Sequence, residues 1–122
     1  ETICQFAREK LVESGNIIQL RNIHLDYFLK TAERIAPMLY TRKMPFWLNY
    51  LETEYLNFHS ALEWAHYEGD TGKGLRLSNS LYSFWFVRGG YRNEGIQWFD
   101  FFLNVGNPTQ NTTRAWAIYH YI

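Results

Sequence analysis

The chain has a single cysteine, Cys4, so no disulfide can form within it and its framework has to come from packing. A lone thiol with no charged-then-apolar leader makes a reduced, cytoplasmic setting the simplest expectation. There is no excess of either charge, since 12 Lys and Arg balance 12 Asp and Glu. That balance gives no long-range attraction to a phosphate backbone or an anionic bilayer, so neither direct nucleic-acid binding nor membrane binding is expected. No apolar run approaches the roughly 18 residues that a membrane-crossing helix needs. Short β-branched runs with strict alternation are missing, and strand signals with them. The chain opens at Glu1 rather than Met and its last residues are the apolar AWAIYHYI, so it is expected to be a piece of a longer polypeptide.

What the chain has in quantity is ring surface. Aromatic residues make up 19% of it, which excludes a disordered polymer and suits one packed domain. They crowd into FWFVRGGYRNEGIQWFDFF, residues 84–102, on both sides of Gly89-Gly90. A catalytic pocket, a stacking platform for nucleic acid and the joint between two helices would all use such a stretch.

Helical punctuation decides among them. A first helix over 2–14 stops at Ser14-Gly15, and Asn16 with Gln19 forms a capping box for a second helix reaching about Leu39. Its stripe is Leu20, Ile23, Tyr27, Phe28, Thr31 and Ile35, and Pro37 predicts a kink or stop near residue 36. Pro45 opens a third helix whose Trp47, Leu51, Tyr55, Phe58, Leu62 and Ala65 recur at helical spacing until Gly69. Asp70 or Thr71 caps a fourth, over 73–88, with Leu77, Leu81, Phe84 and Trp85 on its buried face. Gly89-Gly90 ends it. A fifth, over 93–104, carries Ile96, Trp98, Phe99, Phe102 and Leu103, and a sixth starts near Thr113. The expected fold is all-α, about six helices in antiparallel pairs joined by short turns. The rings then fill the seam around the glycine pair, with Trp85 and Trp98 mostly buried, because each buried ring removes about 150–250 Å² from water.

Two resemblances sharpen that picture. Leu81, Trp85, Gly89, Gly95, Phe99, Phe102 and Pro108 resemble a degenerate tetratricopeptide repeat, a helix–turn–helix unit of about 34 residues. Tyr82 and Phe102 are larger than that pattern's small positions. More broadly, RNIHLDYFLKTAERIAP, WLNYLETEYLNFHSALEWA and LRLSNSLYSFWFVRGGYRNEG resemble the helical region of bacterial signal-transduction ATPases with numerous domains (STAND), among them LuxR-type transcriptional regulators. His59 stands where that pattern has an arginine. The resemblance implies a right-handed superhelical, tetratricopeptide-like array, with 1–72 as an N-terminal helical segment of three helices. Residues 73–122 would be a degenerate repeat plus the start of the next. It also implies a role in coupling a sensed signal to ATP-controlled assembly and gene regulation, with the nucleotide site elsewhere in the polypeptide.

Local chemistry points the same way. GDTGKG, residues 69–74, has its glycines too close and no hydroxyl after Lys73 for a phosphate loop, so a helix–helix turn is expected. Glu63-Trp64-Ala65-His66 is one ExxH motif, with His59 a turn earlier. A di-iron bundle needs two copies and further carboxylates, so a solvated helix face is expected and no metal or cofactor. His24, Glu33, Glu52 and Glu54 lie on long periodic helices, where a polar side chain faces water or joins a structural hydrogen bond, so no enzyme is expected. The reading is a non-catalytic scaffold meeting other domains of its own polypeptide, or a protein or peptide partner. The alternative is a free-standing peptide-binding module, and a metal-binding bundle is a third. The candidate interaction surface is Arg88, Tyr91 and Arg92 at the turn with Trp116, Tyr119 and Tyr121 of the last helix. That last helix is also expected to drive self-association.

Overall fold

The computed structural model of the chain describes residues 3–105, and every regular element among them is helical. Helix α1, Ile3–Ile35, runs unbroken through Ser14-Gly15, where the sequence predicts a stop and a fresh cap at Asn16. Gly15 is exposed, does not take a left-handed backbone, and a Cβ there would meet nothing within 4 Å. A mid-helix glycine costs only about 1 kcal/mol relative to alanine, and a break would leave several backbone groups without intrahelical partners. The helix carries on. It ends where expected, ahead of Pro37, as the chain tightens into a 3-10 turn, Ala36–Tyr40, that buries Leu39. Thr41 closes that turn by donating its hydroxyl to the Met38 carbonyl at 2.7 Å.

The stripe predicted for this region is right at one end and wrong at the other. Thr31 and Ile35 are buried and Phe28 half-buried, but Leu20, Ile23 and Tyr27 are exposed, at 64%, 57% and 57%. The buried row is Leu25, Leu29 and Ala32, spaced four and three apart. Two apolar rows share α1, and only the packing of α3 and α4 against it selects between them.

Helix α2, Met44–Thr53, has Pro45 in its first turn as expected, but it does not reach Gly69. Glu54 leaves the helical path, with φ −95° and ψ 11°, and α3, Tyr55–Glu68, starts at once. Asn57 holds the Glu54 carboxylate at 2.8 Å across the break. The α3 terminus follows the sequence closely. Gly69 turns left-handed at φ 70°, its N–H bonds to the His66 carbonyl and that of Asp70 to the Ala65 carbonyl. These are the two hydrogen bonds of a Schellman motif.

Helix α4, Thr71–Val87, is capped by Asp70, whose carboxylate accepts from the Lys73 amide at 3.1 Å. Gly90 makes the next turn at φ 98°, and α5, Arg92–Val105, follows. The sixth predicted helix lies outside the described residues. Helix α4 is the centre of the packing, in contact with α1, α3, α5 and the 3-10 turn. Leu75, Leu77, Leu81, Phe84 and Trp85 are all fully buried, so α4 is apolar on several sides, as a central helix must be. Its buried Ser78 hydroxyl is satisfied by the Gly74 carbonyl one turn back, at 2.8 Å. Among the described residues no helix is long and apolar enough to cross a membrane.

Candidate interaction surface

The aromatic stretch is built into the α4–α5 joint. Trp85 is fully buried, edge-on to Phe99 with ring centres 5.9 Å apart. Its indole N–H donates to the Tyr55 hydroxyl of α3 at 2.9 Å. Tyr55 in turn stacks on Phe84 at 5.4 Å and meets Tyr91 edge-on at 4.8 Å. Burial, opposed in part by the Trp85 hydrogen bond, pushes the Tyr55 phenol well above the usual tyrosine range, and the nearby Glu94 carboxylate adds to the shift. Trp98, expected to be mostly buried, is half-buried, with its indole N–H 3.4 Å from Glu94.

Two glycines set the approach of the helices. A Cβ on Gly95 would fall 2.9 Å from the Trp85 Cβ, and one on Gly74 would strike the Phe102 ring. Both positions admit a large ring of the facing helix that any side chain would push away. Gly74 therefore gives GDTGKG a packing role as well as a turn. Lys73 of the same stretch is engaged by Asp26 of α1 at 2.7 Å. Beside it, Arg76 grips Glu33 through two hydrogen bonds, 2.9 and 2.7 Å, and that pairing raises the guanidinium pKa further.

The residues singled out for an interaction surface have varied fates. Arg88 is half-buried and its guanidinium reaches back to Asn49 and Glu52 of α2. Tyr91 is half-buried between Tyr55 and Phe84. Arg92 is exposed, lying 5.2 Å over the Phe86 ring. Trp116, Tyr119 and Tyr121 lie outside the described residues. The turn thus ties Arg88 and Tyr91 into internal joints and leaves Arg92 outward.

The ExxH residues also spend themselves on packing. His59 Nδ1 lies 2.6 Å from Glu94 of α5 and Nε2 lies 3.6 Å from Glu63, so this histidine bridges helices where the resembled pattern has an arginine. His66 packs on the Phe101 ring at 3.7 Å. Among the described residues no group of three or more His, Cys, Asp or Glu side chains is arranged to hold a metal ion.

The surface also carries open clefts that the sequence does not predict. One, of ≈ 810 Å³, lies between α1 and the end of α3, with Ile17, Ile18, Trp64, Tyr67 and Trp98 on its walls and Arg21, Glu63 and Glu68 at its edge. Trp64 is fixed there by its N–H donating to Asn22 at 2.7 Å and by the Arg21 guanidinium 5.4 Å over its ring. Another, of ≈ 350 Å³, lies between α1, the 3-10 turn and α2. On its wall stands Trp47, whose buried indole N–H has no acceptor among the described residues, an arrangement that costs about 1–3 kcal/mol. The exposed Tyr27 was the available signal for the cleft beside Trp47, but at helical spacing it reads as part of a core stripe.

Comparison of the chain with protein-family models, with curated proteins and with solved structures finds no match.

Proposed function

We propose that this chain is a helical scaffold, part of the arm between the ATPase switch and the repeat sensor of a bacterial signal-transduction regulator. The observation that carries the reading is the α4–α5 joint, where glycines at 74 and 95 face Phe102 and Trp85 and let the helices interlock. An interlocked pair moves as a unit and passes on a displacement imposed at one end. In a tetratricopeptide-like, right-handed array, each such pair covers its neighbour's apolar face. A ligand or partner preferring one arrangement of that stack would bias the switch by its differential affinity. The work is mechanical, with no reaction chemistry in this segment, and it belongs to the cytoplasm.

The test uses the intact polypeptide. Its reading frame should carry a phosphate loop and a winged-helix pattern ahead of this segment, and sedimentation should show assembly that depends on ATP. Gly95→Val, which wedges the joint apart, should weaken that assembly while nucleotide affinity stays the same. A short reading frame with no nucleotide-binding core would defeat the proposal. It would favour a free-standing peptide-binding module, for which the ≈ 810 Å³ apolar cleft at Trp64 is the specific support.

A further inference from the structure

The cleft beside Trp47 lies away from the α4–α5 joint, so what it binds is independent of the scaffold reading. It exists because α1 stops ahead of Pro37 and the 3-10 turn carries α2 back beside it. Ile35, Met38 and Trp47 give it apolar walls, and Tyr27, Arg34 and Tyr50 bring polar groups to them. At ≈ 350 Å³ it sits at the small end of ligand pockets.

Its polar groups are donors with little to donate to. The Trp47 N–H is buried without an acceptor among the described residues. Arg34 forms no ion pair among the described residues. Burial first, and then the Glu54 charge, hold the Tyr50 phenol above its usual pKa, so it keeps its proton. Tyr27 and Arg34 stand close enough to act on that phenol electrostatically. Among the described residues no Asp or Glu lines the cleft. Glu54, whose charge reaches the Tyr50 phenol, is engaged by Asn57 at 2.8 Å.

Apolar walls with one guanidinium and several spare donors match an acid oxygen carried on an apolar body. A single cation suits a monoanion, and the planar guanidinium fork suits a carboxylate. We propose that this cleft binds a small carboxylate with an aromatic or branched body. The head group pairs with Arg34 and accepts from the tyrosine hydroxyls, while the body lies against Ile35, Met38 and Trp47. A free organic acid and the C-terminal carboxylate of a peptide share this chemistry.

The test is a titration of the ¹⁵N-labelled chain followed at its indole N–H resonances, with Trp47→Phe identifying the one that matters. Phenylacetate should displace the Trp47 signal saturably in the millimolar range, and its neutral counterpart, benzyl alcohol, should bind at least tenfold more weakly. Arg34→Met keeps the apolar stem, so it should cost phenylacetate at least tenfold while leaving helix content and the benzyl alcohol response unchanged. A parallel titration with N-acetyl-glycyl-phenylalanine separates the sources. Tighter binding than phenylacetate points to a chain terminus, and equal or weaker binding to a free acid. No saturable displacement by either carboxylate, an equal response to benzyl alcohol, or undiminished binding by Arg34→Met each overturns the proposal.

Discussion

Trp85 and Tyr55 show how far one residue's role depends on a partner distant in sequence. That Trp85 is core follows from its size and its place one turn before the glycine pair. That its N–H ends on Tyr55 does not, because the two lie thirty positions apart on different helices. Trp85→Ala removes a fully buried indole and should cost about 3–5 kcal/mol; a loss below about 1 kcal/mol in denaturant unfolding would contradict its place in the core. Tyr55 gives a pH signature as well. Its folded pKa is raised above the unfolded value of 10.0. The stability gained by keeping the phenol neutral is therefore whole below pH 10. It is lost as pH rises above that, when the unfolded chain gains by ionising. Unfolding measured from neutral pH to pH 11 should show the decline in the native chain, and Tyr55→Phe should flatten it. The variant should also be less stable at neutral pH, since it leaves the Trp85 N–H without its acceptor.

Among elements, Gly15 and Gly69 carry the same sequence signal and meet opposite ends. After Gly69 the chain has to turn back so that Leu75 and Leu77 reach the core, and the left-handed glycine with its two closing hydrogen bonds makes that turn. After Gly15 no such reversal is needed, so the helix runs on. Glycine marks where a helix can end, and the packing beyond it determines whether it does. The break at Glu54 is the converse, an end with neither glycine nor proline to announce it. The cores of α3 and α4 were legible because the large residues read at helical spacing there, Tyr55, Phe58, Leu62 and Ala65 and then Leu77, Leu81, Phe84 and Trp85, are all buried and no exposed apolar row competes with them. Helix α1 was not, because Leu20–Ile23–Tyr27 and Leu25–Leu29–Ala32 are rival rows. The glycine question has a direct check. Gly15→Ala should stabilise the chain by about 0.5–1 kcal/mol, since the backbone there is helical and the space open. Thermal unfolding at a lower temperature than the native chain would instead restore the turn that the sequence suggests.

Across the whole molecule, stability is unevenly shared along α1. From Leu25 to Ile35 the helix is packed against α3 and α4, with Leu25, Leu29, Ala32 and Ile35 at 4% exposure or less. From 15 to 23 every residue is exposed, and that stretch is tied to the core through Asn22 and Arg21 on Trp64. The ion pairs that bind α1 to α4, Asp26–Lys73 and Glu33–Arg76, lie on the packed side of that boundary. Each is partly exposed and contributes at most about 1 kcal/mol, so burial makes the difference between the two halves. A helix without a buried face draws little stability from tertiary packing and opens at lower cost than the global unfolding that releases the core. Amide hydrogen exchange under native conditions should therefore be graded along one continuous helix. Amides over 15–23 should exchange at least tenfold faster than those over 25–35, the latter approaching the protection of α4. Trp64→Phe, which removes the N–H that Asn22 accepts, should widen the gap by speeding exchange at 18–23 alone. Uniform protection from 15 to 35 would mean that α1 is held along its full length by contacts beyond those to Trp64.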